Sequence, residues 1–264
     1  MPLTTTGLNG NRLSVAGLDL EVLRRGAGRP LLLLHGFQTV PADAPFLDLL
    51  GRHAEVIAPS HPGFGDSPRP RDFETMYDLV HLYLEVLESL PHERMSLMGL
   101  SFGGWLAAEI AVKAGARIDR LVLVDALGIK INDRETPDIL DVFNTHPTEV
   151  LRRSWHAPGT YGPRYDDMTD EQLVRVARAR DALCLYAWHP YMHNPQLKRW
   201  LGRIRRPTLV LWGTSDAIVT PSYGETYAGL IPNSRFELIP DAGHHPELEQ
   251  PKAFADRVTA FLNE

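Results

Sequence analysis

The sequence predicts an α/β fold with a mostly parallel central sheet, helices on both faces of that sheet, and one inserted helical cap. Short unbroken apolar runs alternate along the chain with helix-like segments, and a strand that helices cover on both faces needs such a run. The alternation is interrupted once, between residues 128 and 203, where no run typical of a buried strand occurs. The length of 264 residues suffices for one large core with an insertion.

The first part of the predicted core covers residues 1–127. Short apolar segments on either side of Gly17 predict a hairpin, with strands at 13–16 and 18–23. Mostly apolar runs predict the buried strands of the sheet, at residues 31–34, 54–58, 95–98 and 121–125. Helical spacing of apolar residues and an alanine-rich run predict the helices between them, at residues 45–50, 74–90 and 105–114.

The predicted cap covers residues 128–203, and the second part of the core covers residues 204–264. Within the cap, two segments separated by Pro, Gly and Tyr are predicted as helices, at residues 136–143 and 170–185. The strand pattern then resumes and predicts two strands and two helices, in the order 207–213, 223–230, 235–239 and 251–262.

Composition and charge exclude several kinds of partner. A formal net charge of −6 offers no broad basic face for nucleic acid or anionic lipid, and no apolar run approaches the ~20 residues that span a bilayer. The single cysteine, Cys184, cannot form an internal disulfide, which suits a reducing compartment. Residues 1–12 lack the pattern of a secretory signal. We therefore expect a cytoplasmic protein that binds a small molecule, and no feature predicts its oligomeric state.

The segment at residues 98–104, Met-Gly-Leu-Ser-Phe-Gly-Gly, lies between a predicted strand and a predicted helix. A Gly-x-Ser-x-Gly pattern in this position is typical of a nucleophile elbow. Gly99 and Gly103 leave space for the sharp turn, because a Cβ atom at either place would press on the opposing backbone. Such a turn presents the Ser101 hydroxyl at the carboxyl edge of the sheet, close to the first amides of the next helix.

A serine hydroxyl needs a neighbouring base, and a histidine base needs a carboxylate that fixes its tautomer. His244 follows the last predicted strand and stands next to Gly243, and Asp216 follows the strand at 207–213. The chain order Ser101, Asp216, His244 is the order expected for a nucleophile elbow of this kind. His245 is the alternative base, and Asp125, at the end of the strand after the elbow, is the alternative acid.

Taken together, four motifs resemble those of the α/β-hydrolase fold serine hydrolases. The motifs are His-Gly-Phe at 35–37, Gly-Leu-Ser-Phe-Gly-Gly at 99–104, Trp-Gly-Thr-Ser-Asp at 212–216, and Gly-His-His-Pro-Glu-Leu-Glu-Gln-Pro at 243–251. They span nearly the whole chain outside the predicted cap. The resemblance implies an α/β-hydrolase fold.

The resemblance also implies a role for each matched residue. Ser101 is expected to be the nucleophile, His244 the general base and then acid, and Asp216 the carboxylate that orients it. The backbone N–H groups of Phe37 and Phe102 are expected to form the oxyanion hole, which leaves both side chains free to line a pocket. No cofactor is implied.

Other histidines and acids near these motifs have structural interpretations. We expect His35 to hydrogen-bond within the oxyanion loop, His61 to shape a neighbouring loop, and Glu249 to brace the loop that carries His244. His189 and His193 have a spacing that could share a metal ion on a helix. Pro190 and Pro195 argue against that helix, so no metal site is predicted.

The implied reaction is hydrolysis of a carboxylic ester of the aryl, enol or lactone kind. Epoxide hydrolases and haloalkane dehalogenases of this fold have an aspartate nucleophile, so Ser101 argues against both. Carbon–carbon hydrolases of ring-fission-type diketo acids retain the serine but commonly have Asn before it, where this chain has Leu100. They are the leading alternative, followed by cofactor-free haloperoxidases or perhydrolases and by non-catalytic ligand receptors.

The substrate is expected to be apolar or aromatic, because the predicted cap is rich in aromatic residues. Those expected to contact the ligand are Trp155, Trp188 and Tyr191. Other aromatic candidates in the cap are Phe143, Tyr161, Tyr165 and Tyr186. A substrate carboxylate would need a cation, and the candidates are Arg152, Arg153 and Arg164.

Overall fold

The computed structural model describes residues 7–264 and, within them, a nine-stranded sheet. The predictions for residues 1–6, at the start of the first core segment, lie outside the described residues. The strands are β1 (Gly7–Asn9), β2 (Arg12–Val15), β3 (Leu18–Arg25), β4 (Arg29–Leu34), β5 (Ala54–Pro59), β6 (Met95–Leu100), β7 (Ile118–Val124), β8 (Thr208–Gly213) and β9 (Ser234–Ile239).

Ten α-helices accompany this sheet within the described residues. They are α1 (Pro45–Gly51), α2 (Met76–Ser89), α3 (Phe102–Lys113), α4 (Pro147–Ser154), α5 (Pro158–Tyr161), α6 (Asp170–Ala187), α7 (Leu197–Trp200), α8 (Pro221–Gly229), α9 (Pro246–Glu249) and α10 (Pro251–Leu262). Short 3₁₀ turns follow α5 and α7, at Tyr165–Asp167 and Leu201–Arg203.

The strands lie in the order β1-β2-β3-β5-β4-β6-β7-β8-β9. The first three pairings in that order are antiparallel, and every pairing from β5 through β4 and β6 to β9 is parallel. The carboxyl ends of the parallel strands therefore meet at one edge of the sheet. Since β6 pairs with β4 on one side and β7 on the other, the turn after β6 lies in the middle of that edge.

The four leucines at the end of β4 show why the sheet is covered on both faces. All four are inaccessible to solvent. Leu32 and Leu34 pack in one apolar cluster with residues of α2 and α3, and Leu31 and Leu33 pack in a second cluster with residues of α1 and α10. Each buried leucine contributes about 1.5–3 kcal/mol by leaving water. The unbroken run thus encodes a strand with two buried faces, as predicted.

Residues 128–203, which we call the helical segment, contain α4 to α7 and contribute no strand to the sheet. The prediction for α6 is confirmed, and its Thr169 and Gln172 form a capping box at its start. The predicted helix at 136–143 is wrong. Asp138 accepts hydrogen bonds from the Ile131 and Asn132 amides, so it holds a loop instead.

Five elements were not predicted from the sequence: strand β1, the helices α4, α5 and α7 of the helical segment, and helix α9. Strand β1 pairs with β2 at the edge of the sheet, and the single-turn helix α9 precedes α10. Apart from α4, these elements have only three or four residues and are too short to show a periodic pattern. Among residues 7–264, no helix combines the length and the apolar character that crossing a membrane requires.

Candidate active site

Ser101 occupies a strained turn between β6 and α3. Its φ angle is +51°, in the left-handed region that is uncommon for residues other than glycine. Gly99 and Gly103 permit the turn: a Cβ atom on Gly99 would overlap the Gly103 carbonyl, and one on Gly103 would overlap the Leu34 carbonyl. The Ser101 amide donates to the Val124 carbonyl at 2.8 Å, which fixes the turn to the end of β7.

Three buried side chains meet above this turn. The Ser101 Oγ atom lies 2.7 Å from His244 Nε2, and His244 Nδ1 lies 2.8 Å from Asp216 Oδ2. Because the Asp216 carboxylate can only accept, His244 donates from Nδ1, and its Nε2 atom is left to accept the serine hydroxyl proton. We call these three residues the buried triad.

Backbone hydrogen bonds hold the two loops of the triad in place. Asp216 Oδ1 accepts from the Ile218 and Val219 amides at 2.9 and 3.1 Å. The His244 amide donates to the Ser154 carbonyl at 2.7 Å, which ties its loop to the helical segment. These bonds leave the carboxylate and the imidazole little freedom to reorient.

Glu249 braces the His244 loop, as the sequence predicted. Its buried carboxylate accepts from the Gly243 amide at 2.6 Å and from the His156 and Ala157 amides at 3.1 and 2.9 Å. One side chain thus joins the residue before His244 to the helical segment.

The alternative base and acid lie close by but make other contacts. His245 stacks on Trp155 with 4.4 Å between ring centroids. Asp125 is buried after β7, where its Oδ1 atom accepts from the Gly213 amide at 3.0 Å. Burial, and then the negative charge of Asp216, raise the pKa of Asp125 well above its usual range.

The two expected oxyanion-hole residues differ in where their side chains lie. Neither the Phe37 nor the Phe102 amide donates to a protein acceptor among the described residues. The Phe37 side chain lines a cavity above Ser101. The Phe102 ring does not: it is fully buried and packs against His61 and Tyr186. The expectation that both rings are free to line the pocket is therefore corrected for Phe102, which belongs to the core.

His35 and His61 form a buried network beneath the oxyanion loop. His35 Nε2 accepts from the His61 amide at 2.9 Å, and His61 Nδ1 lies 2.6 Å from the Tyr83 hydroxyl. Burial lowers the pKa of His35 to about 4 and that of His61 well below its ordinary value. Both rings are therefore neutral at pH 7, which agrees with the structural roles expected for them.

A cavity of about 400 Å³ opens above Ser101 and His244. Its walls are mostly apolar and come from the loop after β4, from α1, from the helical segment and from the loop around α9. The apolar lining side chains include Val40, Pro41, Phe46, Val142, Val150, Leu151, Trp155 and Leu248. Arg180 is the one Lys or Arg side chain that lines it in residues 7–264.

The structure corrects two of the expected ligand contacts. Trp155, Tyr161 and Tyr165 line the cavity, but Trp188 and Tyr191 do not. Trp188 is 53% exposed on the outer surface. The Tyr191 hydroxyl bonds to the backbone of Leu140 and Val142, so that ring supports the helical segment instead.

The arginines proposed from the sequence are engaged elsewhere. Arg152 and Arg153 pair with Glu149, and Arg164 pairs with Asp167. The sequence does not identify Arg180 as a cavity residue. It lies on α6, which carries several charged residues, and the sequence does not show which of them lines a cavity. No signal in the sequence identifies it, because its place in the cavity wall depends on how α6 packs against the rest of the chain.

His189 and His193 do not lie on a helix, because α6 ends at Ala187. Both line a separate cavity of about 230 Å³ that lacks the triad. Within residues 7–264, the one group of three side chains with metal-ligand spacing is Asp125, Asp216 and His244. In that group His244 Nδ1 already donates to Asp216, so the spacing follows from the hydrogen bonds of the triad.

A family model described as the alpha/beta hydrolase family matches residues 31–257. The chain is 27% identical to a 2-hydroxymuconate semialdehyde hydrolase of Pseudomonas sp. strain CF600, over 97% of this chain and 94% of the relative. It is 28% identical to a 2-hydroxy-6-oxo-2,4-heptadienoate hydrolase of Pseudomonas putida, over 96% of each.

Solved structures with the same fold include hydrolases of two kinds. A meta-cleavage product hydrolase from Pseudomonas fluorescens IP01 superposes with a TM-score of 0.77 at 23% identity, covering 98% of each chain. An enol-lactonase from Burkholderia xenovorans LB400 superposes with a TM-score of 0.70 at 25% identity, covering 96% of this chain and 100% of that one. The fold therefore accommodates more than one hydrolytic reaction.

Proposed function

Because this chain belongs to the alpha/beta hydrolase family, we propose that it is a serine hydrolase that cleaves a carboxylic ester of the aryl, enol or lactone kind. The observation that carries the proposal is the buried Ser101–His244–Asp216 contact at the base of a mostly apolar cavity of about 400 Å³. A volume of this size suits a small organic molecule. No residue of the described chain has to move for the serine proton to reach the imidazole.

In the proposed reaction, Ser101 Oγ attacks the ester carbonyl carbon while its proton passes to His244 Nε2. The carbonyl oxygen becomes an oxyanion, which accepts hydrogen bonds from the Phe37 and Phe102 amides; one such donor is worth about 3–4 kcal/mol to the transition state. His244 then gives its proton to the departing alcohol oxygen as the C–O bond breaks. Water repeats the sequence, releases the acid and restores the serine.

The helical segment is proposed to act as a cap that selects the substrate. Leu151, Trp155 and Arg180 from this segment face the cavity opposite the sheet. The segment is also joined to both triad loops, since the Ala217 amide donates to the Arg153 carbonyl and the His244 amide to the Ser154 carbonyl. Residues of the cap that contact the substrate therefore lie directly beside the reacting groups.

Carbon–carbon hydrolysis of a diketo acid is the second candidate. Two specific observations favour it. The chain is 27% and 28% identical to a 2-hydroxymuconate semialdehyde hydrolase and a 2-hydroxy-6-oxo-2,4-heptadienoate hydrolase. Arg180 lines the cavity and is a cation of the kind that binds a substrate carboxylate. Leu100 before the nucleophile argues against it, since carbon–carbon hydrolases of this fold commonly have Asn there. The same serine and histidine would serve both reactions.

Pre-steady-state kinetics with an activated aryl ester tests the proposal. We expect a burst of the released phenol that is absent in Ser101→Ala. Ser154→Ala is the matched control, because Ser154 lines the same cavity but donates to the Val150 carbonyl. No burst in the wild type would contradict the proposed acyl-enzyme.

Turnover of aryl esters and of a vinylogous diketo acid distinguishes the two candidate reactions. We expect the ester to have the higher kcat/KM. A preference for the diketo acid by more than about 100-fold, or nearly 3 kcal/mol in transition-state binding, would replace the first candidate by the second.

A further inference from the structure

Asp125 brings a second buried carboxyl group to the side of the triad. Its side chain is inaccessible to solvent, and its backbone has a φ angle of +43°, so the residue turns sharply after β7. One of its carboxyl oxygens, one of Asp216 and a ring nitrogen of His244 all lie within 4.8 Å of one another. The mechanism proposed above does not use Asp125.

The Oδ2 atom of Asp125 has no hydrogen-bond partner among the described residues. An orphaned carboxylate oxygen is costly at a buried site, and a neighbouring carboxylate makes it more so. A proton removes both problems, because a protonated Oδ2 can donate to a carboxylate oxygen of Asp216. Two carboxyl groups whose oxygens lie within 4.8 Å of each other can share one proton over a wide pH range.

The hydrogen bonds decide which of the two groups holds that proton. Asp216 accepts three N–H donors, from Ile218, Val219 and His244, and such donors stabilise the ionised form. Among the described residues, Asp125 accepts one, from Gly213. The proton therefore belongs on Asp125.

The charged groups around Asp125 agree with this assignment. Asp216 on the loop after β8 and Glu247 on α9 both act on it with negative charge, and His244 is the basic group beside them. Within residues 7–264, none of the charged groups that shift the pKa of Asp125 is a Lys or Arg. Ionising Asp125 would add one more buried negative charge to this group without a cation to balance it.

We propose that Asp125 is a neutral carboxylic acid in the resting protein and that its Oδ2–H group donates a hydrogen bond to the Asp216 carboxylate. The consequence rests on the proposed function, in which Asp216 orients His244. Asp125 is then a positioning residue: it holds Gly213 and Asp216, at the two ends of the same turn, against the end of β7. It also leaves the Asp125–Asp216 pair with one negative charge, on Asp216.

Infrared difference spectroscopy of the resting full-length protein tests the protonation state without any substrate. At neutral pH we expect the C=O stretching band of a neutral carboxylic acid in the wild type and in Ser101→Ala, and its loss in Asp125→Asn. A wild type without this band, or a band that persists unchanged in Asp125→Asn, would overturn the proposal.

Kinetics with an activated aryl ester tests the positioning role. Asp125→Ala removes the donor to Asp216 and the acceptor for Gly213, so we expect kcat to fall by about tenfold or more, with KM changed less than about threefold. Asp125→Asn should restore most of the loss, because its amide can accept from Gly213 and donate to Asp216. If Asp125→Ala does not fold, the kcat of Asp125→Asn alone tests the positioning role.

The pH profile separates a neutral donor from an ionised carboxylate. Since Asp125→Asn removes no charge from a protonated residue, the acidic limb of kcat/KM should lie at the same pH as in the wild type. A displaced limb, or a loss as large as that of Asp216→Asn, would show that Asp125 acts as an anion. A failure of the proposed function is distinguishable, because it would abolish Ser101-dependent acylation and leave the infrared band unchanged.

Discussion

The two walls of the candidate active-site cavity are held in different ways. On the sheet side, the buried triad is fixed by hydrogen bonds of 2.7 and 2.8 Å. On the side of the helical segment, Tyr161 and Tyr165 are more than 40% exposed. A rigid wall suits a chemical step, which depends on reactant geometry, and a more open wall can change its contacts to select substrates. The comparison predicts that mutations on the sheet side lower kcat, whereas those on the other side alter selectivity.

The largest expected effect is that of Ser101→Ala on the sheet side. The substitution removes the hydroxyl that lies 2.7 Å from His244 Nε2 at the base of the cavity, so kcat should fall by about 10⁴-fold or more. Steady-state hydrolysis of an activated aryl ester measures it. Ser154→Ala should retain kcat within about threefold; an equal loss in both variants would contradict the division between the walls.

The next effect is that of Asp216→Asn, which should lower kcat by about 10³- to 10⁴-fold because the imidazole loses the carboxylate that fixes its tautomer. The measurement is kcat at a pH on the plateau of the profile. Asp241→Asn is the control, since the Asp241 side chain is 74% exposed on the loop before His244. Near-normal turnover by Asp216→Asn would show that another residue orients His244.

Arg180→Gln tests the selectivity expected of the helical segment. Because Arg180 is a cation at the cavity wall, its loss should raise KM for an acidic substrate by about 10- to 100-fold and leave a neutral ester unaffected. KM for a matched acid and methyl-ester pair measures this. Arg152→Gln is the control, because Arg152 is paired with Glu149. Equal changes for both substrates would exclude carboxylate binding by Arg180.

Stability at low pH should depend on the buried His35 on the sheet side. Burial lowers its folded-state pKa from 6.5 to about 4, so between these values the unfolded chain binds a proton that the folded chain does not. His35 by itself therefore makes stability fall as pH falls, by about 2 kcal/mol between pH 8 and pH 5. Urea unfolding at both pH values measures the difference, which should shrink in His35→Asn. An unchanged difference would contradict neutral burial.

The smallest effects should distinguish two tryptophans of the helical segment. Trp155→Ala removes a cavity wall and a stacking partner of His245, and should raise KM for an aryl ester by about tenfold. Trp188→Ala, on the exposed surface outside the cavity, should change KM less than about twofold. The result would be contradicted if Trp188→Ala had the larger effect.

The sheet side of the cavity could be predicted from the sequence more fully than the helical segment. The run from Leu31 to Leu34 carries its own signal, because four consecutive apolar residues bounded by turn residues favour a strand that is buried on both faces of a sheet. The positions of Ser101, Asp216 and His244 at the ends of strands follow from the order of those strands. These features are local or depend on chain order, so periodicity and motifs suffice to predict them.

The sequence of the helical segment predicts its helices and the positions of its side chains less clearly. The stretch at 136–143 has apolar residues at helical spacing, but Asp138 and Asp141 accept loop amides and displace the helix. Whether an aromatic or basic side chain faces the cavity depends on how α4 and α6 pack against the sheet edge. That packing placed Arg180 in the cavity wall and Trp188 outside it, and neither position is encoded in local spacing.

Covalent labelling is the most direct test of the central claim, that the Ser101 hydroxyl is the activated nucleophile of this hydrolase. The intact protein is treated with a fluorophosphonate, its mass is measured, and the modified peptide is sequenced by fragmentation. We expect one adduct per chain, on Ser101, formed much more slowly in Asp216→Asn and absent in Ser101→Ala. An adduct on any other residue, or unchanged labelling of Ser101→Ala, would contradict it.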